Sequence, residues 1–147
     1  MHYRERVYAY ELYHQLRVRW PAEWEYSLAG EVDKRGHPLI RGGLLDNAKP
    51  DLLIHVPGRM ANLAAIEIKP VRADRYPGED DAFQRDINKL LAFRDVGYTG
   101  SFLISFGESL DRMLDSGRVL RGYGVPIDRV ELLHHRRPGE PAVAVSW

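Results

Sequence analysis

Three charged residues stand where charge is costly. Asp51 opens the apolar run "DLLIHVP" (51–57), while Glu67 and Lys69 sit two apart near the end of the next, "NLAAIEIKP" (62–70). Burying such groups is expensive unless they are compensated. Side chains alternate faces along a strand, so Glu67 and Lys69 point one way and Ile66 and Ile68 the other. By the same rule Asp51 shares a face with Leu53 and His55. Antiparallel pairing of the two runs would bring Asp51, at the start of one, beside Glu67 and Lys69, at the end of the other. Two carboxylates that close repel unless a cation lies between them. Oxygen-only ligation of this kind suits Mg2+, which keeps several waters, and Mn2+ can take its place. The Lys69 ammonium would orient or deprotonate one of those waters for attack on a phosphodiester, and the metal would stabilise the developing charge. The plainer alternative is a set of strand-end charges closed by a cross-strand ion pair.

The elements that must position these residues can be read from periodicity. Residues 3–20 are expected to form a helix, with Tyr8, Ala9, Leu12, Tyr13, Leu16 and Trp20 on one face, ended by Pro21. "EYSLAGEVDKRGHP" suggests a strand running into a turn, with Gly30 marking a bulge, and "RGGLLDNAKP" a loop. The runs 51–57 and 62–70 are expected strands joined by "GRMA" as a hairpin connection. "DDAFQRDINKLLAFRDVG" has acidic residues at its start, an apolar side and Gly97 past its end, and is expected to be a helix. "GSFLISFG" suggests a central strand, "ESLDRMLDSG" a shorter helix, and "RVELLHHRR" and "AVAVSW" late strands. This order fits a mixed α/β sheet with helices packed on its faces, as a single domain over residues 1–147.

Other residues have both a chemical and a bland reading. Glu5 lies near the centre of the apolar face of the first helix, where a carboxylate is out of place; yet the first turn of a helix favours acids. Glu31 is either a group near the metal or an exposed strand residue. Lys89 follows Asp86 by three, the spacing of a helix salt bridge. His55 faces Asp51's side, and a hydrogen-bonded, half-buried histidine is the commoner case. "HHRR" (134–137) can touch phosphates or simply be a solvated edge.

A Pro-Asp, a spacer and then Glu-x-Lys, here Pro50-Asp51 and Glu67-Ile68-Lys69, resembles the PD-(D/E)xK nuclease superfamily. The motif falls on two consecutive expected strands between two amphipathic helices, as in that superfamily's restriction-endonuclease-like αβββαβ core. Glu5-Arg6, Glu31, Pro50-Asp51 with His55, Asn62-Leu63 before Glu67-Ile68-Lys69, and Asp86 with Lys89-Leu90 resemble the patterns of small bacterial members, over residues 3–107. Gln84 is followed four positions on by Asn88, not tyrosine, which separates the chain from the exonuclease-like branch. The resemblance implies a metal-dependent endodeoxyribonuclease with Asp51 and Glu67 on the metal and Lys69 on the attacking water. It also implies that Glu5 joins the metal site and that Lys89 contacts a phosphate or the active site.

Bulk properties narrow the field without deciding it. Lys+Arg and Asp+Glu both number 21, so no global field draws the chain to nucleic acid or membrane. The DNA affinity expected is therefore modest, which a homodimer would raise; RNA stays open as a substrate. No cysteine is present, which excludes disulfides and thiolate metal sites. The N-terminal segment is too charged for a signal peptide, and no run reaches the ~20 apolar residues of a membrane span, so a cytoplasmic location is expected. A glycine-rich phosphate loop is absent. The competing expectation is a catalytically silent nucleic-acid-binding or scaffold module of a defence or mobile-element system.

Overall fold

The computed structural model describes residues 3–30, 49–57, 62–72, 74 and 77–147. Helix α1 (Tyr3–Val18) leads into strands β1 (Ser27–Gly30), β2 (Leu52–His55) and β3 (Asn62–Pro70). Helix α2 (Glu79–Asp95), strand β4 (Gly100–Phe106) and helix α3 (Asp111–Gly122) follow. A 3-10 turn (Ile127–Arg129) then precedes strands β5 (Glu131–His135) and β6 (Val143–Val145). The chain is thus α/β, as expected, and the central strand placed at "GSFLISFG" lies between β3 and β5. The "GRMA" connection and Glu31 lie outside the described residues.

All six strands form one mixed sheet in the order β1-β2-β3-β4-β5-β6. β1–β2, β2–β3 and β5–β6 pair antiparallel; β3–β4 and β4–β5 pair parallel. The parallel pairs need crossovers, and α2 and α3 supply them. Alternation along the strands then sorts the apolar residues. Leu53, Ala65, Leu103 and Leu132 face the larger core, with Phe83, Ile87 and Leu90 of α2 and Met113 and Leu120 of α3. Leu52, Ile66, Ile68 and Ile104 face the other way, with Ala9 and the partly buried Tyr8, Leu12, Tyr13, Leu16 and Trp20. The face read from the periodicity of α1 is the face that packs.

Two local expectations are corrected. Gly30 is not a bulge but pairs in register with Leu52; its missing side chain makes room for Tyr13, whose ring would stand 3.3 Å from a Cβ. The irregularity falls instead between Ile54 and His55. The third helix starts later than "ESLDRMLDSG" suggested and runs through Gly117. A Cβ there would come 2.8 Å from the Trp147 ring, so close packing compensates the ~1 kcal/mol that glycine costs a helix.

The carboxyl ends of β3, β4 and β5 share one edge of the sheet. There Gly107, at φ +129°, lets the chain leave β4 against Val71, whose carbonyl oxygen would lie 2.5 Å from a Cβ. Both conformation and space restrict this position to glycine. Gly107→Ala is expected to destabilise the protein by about 1–3 kcal/mol, read as a lower urea midpoint with an unchanged slope.

Candidate active site

The antiparallel register of β2 and β3 pairs Leu52 with Ile66, so Asp51 falls opposite Glu67 at the shared sheet edge. This is the juxtaposition expected from the sequence. Asp51 is 7% exposed and Glu67 4%. One Asp51 oxygen, Oδ2, accepts the Ile68 backbone N–H at 2.8 Å, which fixes the carboxylate across the hairpin. Lys69, two residues past Glu67, points to the same side, toward α2.

Helix α2 answers this pair with one of its own. Lys89 Nζ donates to Glu67 Oε1 at 2.9 Å, and Lys69 Nζ donates to Asp86 Oδ2. Lys89 also stands 3.6 Å from Asp86 Oδ1, one helical turn back. Glu-x-Lys on a strand therefore meets Asp-x-x-Lys on a helix, each acid against the other element's base. The sequence singled out Asp86 as the far end of a helix salt bridge and as part of the Asp86/Lys89-Leu90 pattern, with no partner on β3. Its spacing to Lys89 was the available signal; its contact with Lys69 depends on how α2 docks, which no local pattern records.

Glu5 enters from the opposite layer, on α1. Burial raises its carboxyl above the ordinary carboxylate range, and the charge of Asp51 adds to this while Lys69 opposes it. Glu5 therefore belongs to the same electrostatic cluster. Glu67 is the most perturbed member. Burial pushes its carboxyl up to about 8, Asp51 adding to the shift and Lys89 countering it. For Lys89 burial works against the charge, but the neighbouring Glu67 outweighs it, and the ammonium is raised above its ordinary value. Among the described residues, Glu5, Asp51, Glu67 and Asp86 thus gather with Lys69 and Lys89 in a largely buried place, where burial and the Asp51 charge together hold the Glu5 and Glu67 carboxyls up.

His55 is not part of this cluster. It lies at the far end of β2, four residues from Asp51 or about 13 Å of strand, opposite Ser27 and Asn62. It pairs in register with Ser27 of β1, and the irregularity beside it falls in its pairing with β3. The "HHRR" histidines are structural partners. His134 Nδ1 lies 2.8 Å from Ser105 Oγ, and His135 Nδ1 lies 3.0 Å from the Tyr8 hydroxyl, whose ring stacks on Phe106. Ser105 has no exposed surface, so the Ser105–His134 pair offers no accessible nucleophile.

Chemically, the sheet edge combines carboxylate oxygens with two ammonium groups. Oxygen donors of this type are what hard divalent cations take, and Asp51, Glu67 and Glu5 could supply them. An ion there would offset the repulsion by which Asp51 raises the Glu5 and Glu67 carboxyls. As the side chains stand, among the described residues no three His, Asp or Glu groups converge closely enough to hold a metal; Glu67 is turned to Lys89 and Asp51 to the β3 backbone. Among the described residues no helix is long and apolar enough to cross a membrane. Neither a family model nor a curated protein matches the chain.

Proposed function

We propose that the chain is a metal-dependent nuclease of the PD-(D/E)xK type, hydrolysing phosphodiester bonds in DNA on a restriction-endonuclease-like core. The observation that carries this reading is the meeting of Asp51, Glu67 and Lys69 at one sheet edge, where the Asp51 charge adds to the burial that raises the Glu67 carboxyl. Asp51 and Glu67, with Glu5 beside them, would hold Mg2+, or Mn2+ in its place. When bound, the ion supplies Lewis-acid stabilisation of charge developing on the phosphate. Asp51 is kept in place by its bond to the Ile68 N–H. Lys69, anchored by Asp86, positions the attacking water. Two copies of the chain, each with one site, would suit a duplex and offset the modest affinity implied by a net charge of zero.

One observation favours a second reading. The crossed pairs Glu67–Lys89 and Lys69–Asp86 also work as a fastening of α2 onto β3, as in a catalytically silent nucleic-acid-binding module. The two readings separate on cleavage of plasmid and short single-stranded DNA with Mg2+, Mn2+ or EDTA. Cutting is expected with either metal and not with EDTA. Asp51→Asn, which keeps an oxygen for the Ile68 N–H but loses the charge, is expected to lower it at least about a hundredfold. No metal-dependent cutting of either substrate would remove the nuclease reading and leave the silent module.

A further inference from the structure

We infer that Lys89 is the resident cation of the Glu67 carboxylate, and that a divalent ion enters the site by exchanging with it. This rests on the metal-site reading of Asp51 and Glu67. Three observations carry it. Glu67 is nearly inaccessible, and Lys89 Nζ already sits 2.9 Å from its Oε1, so an ion reaching that oxygen meets the ammonium first. Like charges at that separation do not share a carboxylate. Next, Lys89 has a second seat. Asp86 Oδ1 is 3.6 Å away, so a shift of about 1 Å completes a hydrogen bond there. Finally, Lys89 has a way out. Its side chain is 22% exposed against 12% for Lys69, and its flexible stem can carry the head group toward water while staying packed. Lys69, held by Asp86 and less exposed, stays where catalysis needs it. Lys89 would then tune metal affinity: the ion's binding is weakened by the cost of displacing an ammonium hydrogen-bonded to Glu67.

The test is Mn2+ titration into the metal-free full chain by calorimetry, for the wild type, Lys89→Gln, Lys89→Arg and Glu67→Gln. Lys89→Gln is expected to lower Kd at least tenfold. Lys89→Arg, which keeps the charge, is expected to remain within about threefold of the wild type. Glu67→Gln is expected to remove high-affinity uptake. Unchanged or weaker binding in Lys89→Gln overturns the inference while leaving the metal site standing. Absence of Mn2+ uptake in the wild type and all variants overturns the metal reading and the inference together. A second measurement needs no substitution: reductive methylation of Lys89 in the wild type, followed by peptide mass spectrometry, is expected to accelerate severalfold when Mg2+ is added. A rate that stays constant or falls while calorimetry records metal uptake also overturns the exchange.

Discussion

Lys69→Ala is expected to lose metal-dependent DNA cleavage by about a hundred- to ten-thousand-fold, the range over which a positioned proton-transfer group acts. The loss should fall on kcat, with KM nearly unchanged, because Lys69 faces Asp86 within the cluster and does not lie on an exposed substrate surface. Stability should fall less dramatically. Removing the ammonium strips Asp86 of one partner, at about 1–3 kcal/mol, but Lys89 at 3.6 Å is placed to take its position. Asp86→Asn supplies the complementary result. It leaves Lys69 in the chain but unanchored, and should cost roughly tenfold in kcat. Added to Lys69→Ala it should cost nothing further, since the two act as one unit. Gel-based cleavage rates for the two single variants and the double variant decide the matter; additive losses would mean that Asp86 acts independently of Lys69.

Glu67→Gln should change how stability depends on pH. The Glu67 carboxyl is raised by burial from an ordinary 4.5 to about 8, so the folded chain holds a proton that the unfolded chain releases at lower pH. Folding therefore binds a proton between these values, and wild-type stability should decline as pH rises from about 4.5 to about 8. The full decline for this group is roughly 5 kcal/mol, or about 10–20 °C in Tm for a chain of this length. Glutamine at this position has no proton to lose. The variant should melt above the wild type at pH 8.5 in EDTA, with the gap closing near pH 5. On the metal-site reading Mg2+ should reverse the order, because an ion held at Glu67 would favour the ionised glutamate of the native wild type. Scanning calorimetry at three pH values, with and without Mg2+, tests both halves. Parallel pH curves for the two proteins in EDTA would place the strain elsewhere than at Glu67.

What was legible in the sequence and what was not divides along a physical line. Tyr8, Ala9, Leu12, Tyr13, Leu16 and Trp20 declared the packing face of α1 because helical periodicity is a local property that burial preserves. The β2–β3 hairpin, and with it the approach of Asp51 to Glu67, was legible because antiparallel neighbours in sequence are neighbours in space. The contacts of Asp86 and Lys89 with β3 were not. They depend on the rotation and depth at which α2 crosses the sheet, which is settled by Phe83, Ile87 and Leu90 meeting Ala65 and Leu103. Alternation puts His55 on the Asp51 side but is silent on distance along the strand, which keeps it from the cluster. His134 and His135 looked like solvent-facing basic residues, yet the hydroxyls of Ser105 and Tyr8, distant in sequence, meet both.

The unequal thickness of the two layers has a consequence for how the cluster holds together in time. Among the described residues, the α1 side of the sheet rests on the smaller set of buried groups, while α2 and α3 share the larger one. Segments open locally at free energies that follow their buried contacts. Helix α1 is accordingly expected to open at a lower free energy than α2, taking Glu5 with it, whereas Asp51, Glu67 and Lys69 are anchored at the ends of hydrogen-bonded strands. Asp51, Glu67 and Lys69 are thus as durable as the sheet, and Glu5 is present only while its helix stays docked.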